Sequence, residues 1–448
     1  MTYYVSNLSR SLANGTISAR QHVEDCLAAI DCEDGNRAFI SVHKQAACDA
    51  ADLVDTARAN GYHLPPFAGV TLSVKDLFDH AGSVTMAGST VLKDVAPAQR
   101  DALVLARLRA LGFIVIGRTN MTEFAFSGLG MNPHYGNPRS PFERQLDGGR
   151  IAGGSSSGSA VSISDGMAAA TIGSDTGGST RAPAAFCGIV GFKATATRMP
   201  LDGIFPLSTS FDAAGPMTNS AECTAIMDDI MAGGDGKAET PFPLRGLRIA
   251  IPKGYLFDDL DPEVANAFDA AIDRLSHAGA SIVDITIDIL EELRPANTPK
   301  SIVAAEAYQV HRDRINDTRR KDYDPYVAAR IDGGRDILAS DYIDLLAARE
   351  TTMRAVQNIT RPYDVLALPT SPTIPPKLVD LEGIDELGAA SARVLRNTAL
   401  SNYLDRPTIT IPCHAYGTAP VGFSLMGSRH HDRRLLAIAT AAESIIRG

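Results

Sequence analysis

Residues 153–188 hold the feature that most constrains the fold: two small-residue loops, GGSSSGS at 153–159 and SDTGGST at 174–180, each leading into an apolar or Ala-rich segment. Glycine lets a backbone take positive φ and come close to a ligand. A turn that opens a helix presents free N–H groups at the positive end of the helix dipole. Two serine-bearing loops of this kind, facing one site, have the equipment to hold an oxyanion.

The chain around them alternates strand and helix. Val70, Leu72 and Val74 alternate as in a strand, with Lys75 at its end. Val104, Leu105 and Leu108 share one face of a helix over 101–111, Gly112 stops it, and residues 113–119 read as a buried strand. A second unit of this type follows: a strand at 247–252, a helix capped by Asp261 with Pro262 at its first position, and a strand at 281–287.

Further helices are predicted at 18–30, where Ser18 and Gln21 form a capping box, at 44–60, 157–166 and 435–447, and from Thr180 to Cys187. Further strands are predicted at 167–175, 365–370, 408–412 and 421–427. Residues 120–141 read as a short helix and then a loop rich in Gly, Pro and Asn, long enough to be functional. Residues 297–360 read as almost wholly helical, with Ser340 as N-cap for a helix toward Val356, forming a layer or lid beside the sheet. There is no repeat, low-complexity tract or linker, which favours one large α/β domain over residues 1–448.

The formal net charge of −10 argues against a direct grip on nucleic acid. The six cysteines form no C-x-x-C pair and no metal-ligand spacing, so reduced thiols and no metal are expected. The N-terminus lacks the charged and apolar regions of a leader, and no apolar run reaches membrane-spanning length. A cytoplasmic chain that does not engage a membrane is expected.

VTLSVKD, GGSSSGSA and SDTGGSTRAPAAFCGIVGFKAT, in this order, resemble the amidase signature family over residues 69–216. Weaker echoes are LALPTSPTIPP at 366–376, SNYLDRPTITIP and APVGFSLMG. The resemblance implies a mixed β-sheet covered on both faces by helices, with residues 65–220 as the signature core and about 240–400 as a variable, helix-rich substrate side. It also implies a Ser-Ser-Lys triad for amide hydrolysis: Lys75 as the lysine, Ser155 as the serine preceded by a cis peptide, and Ser179 as the acylated nucleophile. The spacing of the two serines is that of the family. Ser157 departs from the pattern, which commonly has glycine there.

The chemistry can also be argued from the residues. A serine hydroxyl is a poor nucleophile until a base takes its proton. Lysine can be that base only if burial and neighbouring positive potential lower its pKa by several units. On this reading Lys75 acts on Ser179 through Ser155, and the N–H groups of Thr176, Gly177, Gly178 and Ser179 hold the oxyanion. Asp175 and Arg181 brace the loop. Ala125, Phe126, Ser127 and Met131, with the helical region 306–335, are candidates for the acyl pocket.

Four other readings compete. GSSSG fits a nucleophile elbow with Ser156 at its centre, but its lead-in, RQLDGGRIA, is turn-like rather than a strand. That elbow also needs a histidine, for which His277, His311, His414, His430 and His431 are available. The glycine loops lack a phosphate-binding spacing, so no cofactor is expected. Within the family, the catalytic A subunit of a tRNA-dependent amidotransferase carries an acidic residue where this chain aligns Leu395, and hydrolases of urea-like carboxylated amides share the N-x-L-D pattern of Asn402 to Asp405. Family enzymes are often dimers, so the resemblance leaves a homodimer open.

Overall fold

A computed structural model describes residues 2–293 and 300–448. One sheet of eleven strands runs through it, made of β1 (Phe39–Val42), β2 (Thr71–Lys75), β3 (Ile114–Thr119), β4 (Ala170–Ser174), β5 (Val190–Lys193), β6 (Ala214–Thr218), β7 (Arg248–Lys253), β8 (Ser281–Thr286), β9 (Val365–Pro369), β10 (Thr408–Pro412) and β11 (Gly422–Met426). Their spatial order is β1-β3-β2-β4-β6-β5-β10-β11-β9-β7-β8. The sheet is mixed. β2 pairs in parallel with β3 and β4, and β7 with β8 and β9, while the pairs β4 to β6, β6 to β5, β5 to β10, β10 to β11 and β11 to β9 are antiparallel.

Strands buried on both faces lose the alternation of a half-exposed strand. That accounts for β5 and β6, which the sequence reading passes over: every residue of VGFK and AGPMT is buried. β1 is also passed over, as are the helices Val5–Ala13, Ala221–Ala232 and Ile384–Tyr403. The predicted strands otherwise fall where expected, within a residue or two at their ends except at β4, which starts three residues after the predicted 167.

At two helices the N-terminal capping differs from expectation. The helix Ala339–Thr360 begins before Ser340, because the Asp341 carboxylate reaches back to accept the Leu338 N–H at 3.1 Å. The helix Pro262–His277 begins as predicted, but the Asp261 carboxylate takes hydrogen bonds from Thr373 Oγ1 and the Ile374 N–H instead of capping its own helix. Ser18 does cap Ala19–Ile30, accepting the Gln21 N–H at 3.0 Å. The predicted helical run at 297–360 is met by helices Ile302–Ile315, Pro325–Asp332 and Ala339–Thr360, and its first three positions lie outside the described residues.

Among the described residues no helix is long and apolar enough to cross a membrane. The six cysteines are free thiols, and five are buried.

Candidate active site

In a parallel α/β sheet, ligands collect where the chain leaves the carboxyl ends of the strands. Lys75 is the last residue of β2 and Ser174 the last of β4, and the register of those strands pairs Val74 with Ile172. Lys75 Nζ therefore reaches Ser174 Oγ at 2.8 Å. It also donates to Ser155 Oγ at 2.7 Å, in the loop that opens the helix Ser157–Ser164. The peptide between Gly154 and Ser155 is cis, as the resemblance implies.

Lys75 is fully buried, and burial pushes its ammonium down to about 7 against the pull of the Asp175 and Asp212 carboxylates. Near neutral pH a large share of this lysine is uncharged. That is the state in which it can accept a proton.

The loop at 175–180 is wound around Asp175. One carboxylate oxygen accepts the Gly178 N–H at 2.8 Å, Arg181 Nη2 at 2.8 Å and Asn402 Nδ2 at 2.9 Å. The other accepts the Thr180 N–H and hydroxyl and Arg181 Nε. Burial opposes the charge on Asp175, but Arg181 and these donors outweigh it and hold the carboxyl well below its usual range. The expected brace between Asp175 and Arg181 is present, with both side chains buried.

This winding bears on the expected oxyanion donors. The Gly178 N–H is taken up by Asp175, whereas those of Thr176, Gly177 and Ser179 meet no acceptor among the described residues. Thr398 Oγ1 donates to the Gly177 carbonyl at 2.8 Å and holds the loop from the far side. Gly178 must be glycine: its φ is +134°, and a Cβ would lie 2.0 Å from Thr398 Oγ1.

The serine loops are joined main chain to main chain. The Ser156 N–H donates to the Ser179 carbonyl at 3.2 Å, which sets the two loops side by side. Ser179 faces a cavity of about 500 Å³ that is also lined by Ala125, Phe126, Ser127, Thr176 and Gly177. Met131 does not line it. That side chain packs instead against the cluster that includes Leu129, Ile151 and Phe186.

From the region 306–335 the cavity takes Arg330, while the Glu306 carboxylate is occupied by Ser208, Ser210 and Tyr342. Ser156 is buried outside the lining, and none of the five candidate histidines is among the described lining residues. The nucleophile-elbow geometry is therefore not assembled. Among the described residues no group of three or more His, Cys, Asp or Glu is placed to hold a metal ion.

Three contributors lie beyond the sequence reading. Ser174 is the second partner of Lys75. Asp212, just ahead of β6, accepts from Thr176 Oγ1 at 2.5 Å and from the Leu207 and Ser208 N–H groups, and burial raises its carboxyl to about 6. The helix Ile384–Tyr403 supplies Leu395, Ala399 and Tyr403 to the cavity wall.

A family model described as Amidase matches residues 21–436. The chain is 35% identical over 403 residues to 2-amino-5-chloromuconic acid deaminase of Comamonas testosteroni, covering 89% of this chain and 86% of that protein. It is 31% identical over 477 residues to the A subunit of the glutamyl-tRNA(Gln) amidotransferase of Chloroflexus aggregans, covering 98% and 96%. A crystal structure described as that of an amidase superposes with a TM-score of 0.88 at 29% identity, covering 98% of this chain and 99% of that one. With the family model spanning nearly the whole chain and the fold shared throughout, this protein belongs to the amidase family and is a hydrolase of amide C–N bonds.

Proposed function

We propose that this chain hydrolyses a small linear amide through an acyl-enzyme on Ser179, with Lys75 and Ser155 carrying the proton. The observation that carries the reading is the fully buried Lys75 bonded to Ser155 Oγ, beside a loop whose Thr176, Gly177 and Ser179 N–H groups meet no acceptor among the described residues.

Neutral Lys75 takes the Ser155 proton as Ser155 takes that of Ser179, and Ser179 Oγ attacks the carbonyl carbon. The resulting oxyanion sits against the loop N–H groups, each such donor being worth about 3 kcal/mol in the transition state. When the C–N bond breaks, the proton returns through Ser155 to the nitrogen, and ammonia or an amine leaves. Water then attacks the acyl carbon under the same base, and the acid and free Ser179 are regenerated.

The second reading, a catalytic subunit working only with amidotransferase partners, has the 31% identity in its favour. Against it, Leu395 occupies the position the resemblance reserves for an acid that would hold the amine of glutamine. No Asp or Glu is among the described lining residues. The stand-alone reading is the better supported.

The test is ammonia release by the purified chain from aliphatic, aryl and urea-like amides and glutamine, with Ser179→Ala as control. Release that vanishes in the variant supports the proposal. Turnover of glutamine alone, and only when amidotransferase partners are added, overturns it.

A further inference from the structure

The peptide that joins Gly177 to Gly178 is pinned at both of its polar ends. Its N–H donates to Asp175 Oδ1 at 2.8 Å, and its carbonyl accepts the Thr398 hydroxyl at 2.8 Å. Among the described residues that carbonyl has no other partner. The N–H groups on either side of the pinned peptide, those of Gly177 and Ser179, are the ones that meet no acceptor.

Nothing in the local sequence would hold this peptide still. With no Cβ on either residue, ψ of Gly177 and φ of Gly178 escape the clashes that confine other residues, so the plane turns at little cost unless both ends are tied. The next two carbonyls are tied by main chain. That of Gly178 accepts the Arg181 and Ala182 N–H groups, and that of Ser179 accepts the Ser156 N–H. The Gly177 carbonyl depends instead on a side chain 221 residues further along the chain.

That side chain is itself firmly placed. Thr398 is buried in the helix Ile384–Tyr403, and its own carbonyl accepts Arg181 Nη1 at 3.0 Å. Asn402, one turn on, donates to the Asp175 carboxylate at 2.9 Å and to the Asp175 carbonyl at 3.2 Å. Leu395, one turn back, packs on the same loop, so that a Cβ on Gly178 would lie 3.0 Å from its Cδ2. The Thr398 hydroxyl has a second acceptor within reach, the Leu395 carbonyl at 3.2 Å, but that carbonyl lies inside the helix and already has its helical partner. Its single proton therefore serves Gly177.

We propose that Thr398 is a positioning residue for amide hydrolysis: by tying the Gly177 carbonyl, its hydroxyl fixes the peptide between the two N–H groups that receive the oxyanion. This rests on the serine-hydrolase reading. Without the hydroxyl the carbonyl loses its partner, and the peptide can swing about its remaining bond to Asp175 and carry the flanking donors with it. Such donors must stand about 2.7–3.1 Å from the oxyanion, and a misplacement of about 1 Å costs on the order of 100-fold. The charge they receive exists only in the transition state, so the loss falls on kcat.

The test uses the full chain with butyramide and benzamide as substrates. Thr398→Ala should lower kcat by about 10- to 100-fold and leave KM within about threefold. Thr398→Ser, which keeps the hydroxyl and lacks only the methyl, should recover most of the loss. Butyraldehyde and benzaldehyde add Ser179 Oγ at the carbonyl carbon, so that its proton passes to Lys75 and the carbonyl oxygen becomes the oxyanion. Their affinity for Thr398→Ala should fall by the same factor as kcat, while that of butyrate and benzoate stays within about threefold. A rise in KM alone, a loss that Thr398→Ser does not recover, or aldehyde and acid weakened equally overturns the proposal.

Crystal structures of the native chain, Thr398→Ala and Thr398→Ser separate it from the hydrolase reading. The peptide between Gly177 and Gly178 should turn in Thr398→Ala and stand as in the native chain in Thr398→Ser. A peptide that stays in place in Thr398→Ala refutes the positioning role. A peptide that turns in Thr398→Ala, with no amide cleaved by the native chain, refutes the hydrolase reading alone.

Discussion

Replacing Lys75 by methionine tests the reasoning about the base most directly, because it keeps the length of the stem and removes only the titrating nitrogen. Burial brings the folded-state pKa from 10.5 to about 7. About half of Lys75 is then neutral at pH 7, against roughly 3 in 10⁴ for a solvated lysine, a gain of about 10³ in usable base. The native chain should therefore gain activity as pH rises, by about tenfold between pH 6 and 8. Lys75→Met should lose nearly all activity at every pH.

Stability provides a separate readout. With the folded pKa depressed, the unfolded chain binds more protons than the folded one between pH 7 and 10.5. Lys75 then contributes stability that grows with rising pH, a contribution the methionine variant lacks. The native-minus-variant difference in urea unfolding free energy should grow by about 2 kcal/mol between pH 7 and 9. Loss of the hydrogen bonds to Ser155 and Ser174 in the variant adds an offset that does not vary with pH. A flat difference across this window, or a pH-rate profile without an acid limb near 7, would refute the claim that Lys75 is buried as a near-neutral base.

Two further outcomes follow from the loops. Asp212→Asn removes a negative charge that raises the Lys75 pKa, so the acid limb of kcat/KM should move to lower pH. Its plateau should drop as well, because an amide that keeps its oxygen on the Leu207 and Ser208 N–H groups turns its NH2 to Thr176 Oγ1 and removes the acceptor that now holds that hydroxyl; an unmoved limb contradicts the coupling. Gly178→Ala places a methyl against Thr398 at a positive φ, and should destabilise the fold by about 1 to 3 kcal/mol and abolish hydrolysis. Unchanged urea unfolding would show that the loop is not held as described.

The signature stretch is legible in the sequence because its constraints are local. Glycines, serines and the apolar segments they precede specify two turns, each opening a helix, and the alternation of Val70, Leu72 and Val74 specifies a strand ending at Lys75. The helix Ile384–Tyr403 is not legible in the same way. Its buried face includes Ser391, Asn397, Thr398, Ser401 and Asn402, which serve as hydrogen-bonding groups toward neighbouring segments, so hydrophobic periodicity passes over it.

Met131 shows the matching limit within a loop: proximity in sequence to Ala125 and Phe126 says nothing about which side chain turns toward the cavity and which toward the core. The stacking of Arg330 on Phe126 joins residues about 200 apart in the chain and is reached only through tertiary packing. What the sequence by itself determined is the set of local turns and strand ends that carry the serines and the lysine, since φ/ψ preference and side-chain alternation act between neighbours. What only the tertiary structure decided is the neutralising burial of Lys75, the capture of the Gly178 N–H by Asp175 and the charge of the cavity, since desolvation and pairing depend on what distant segments bring into contact.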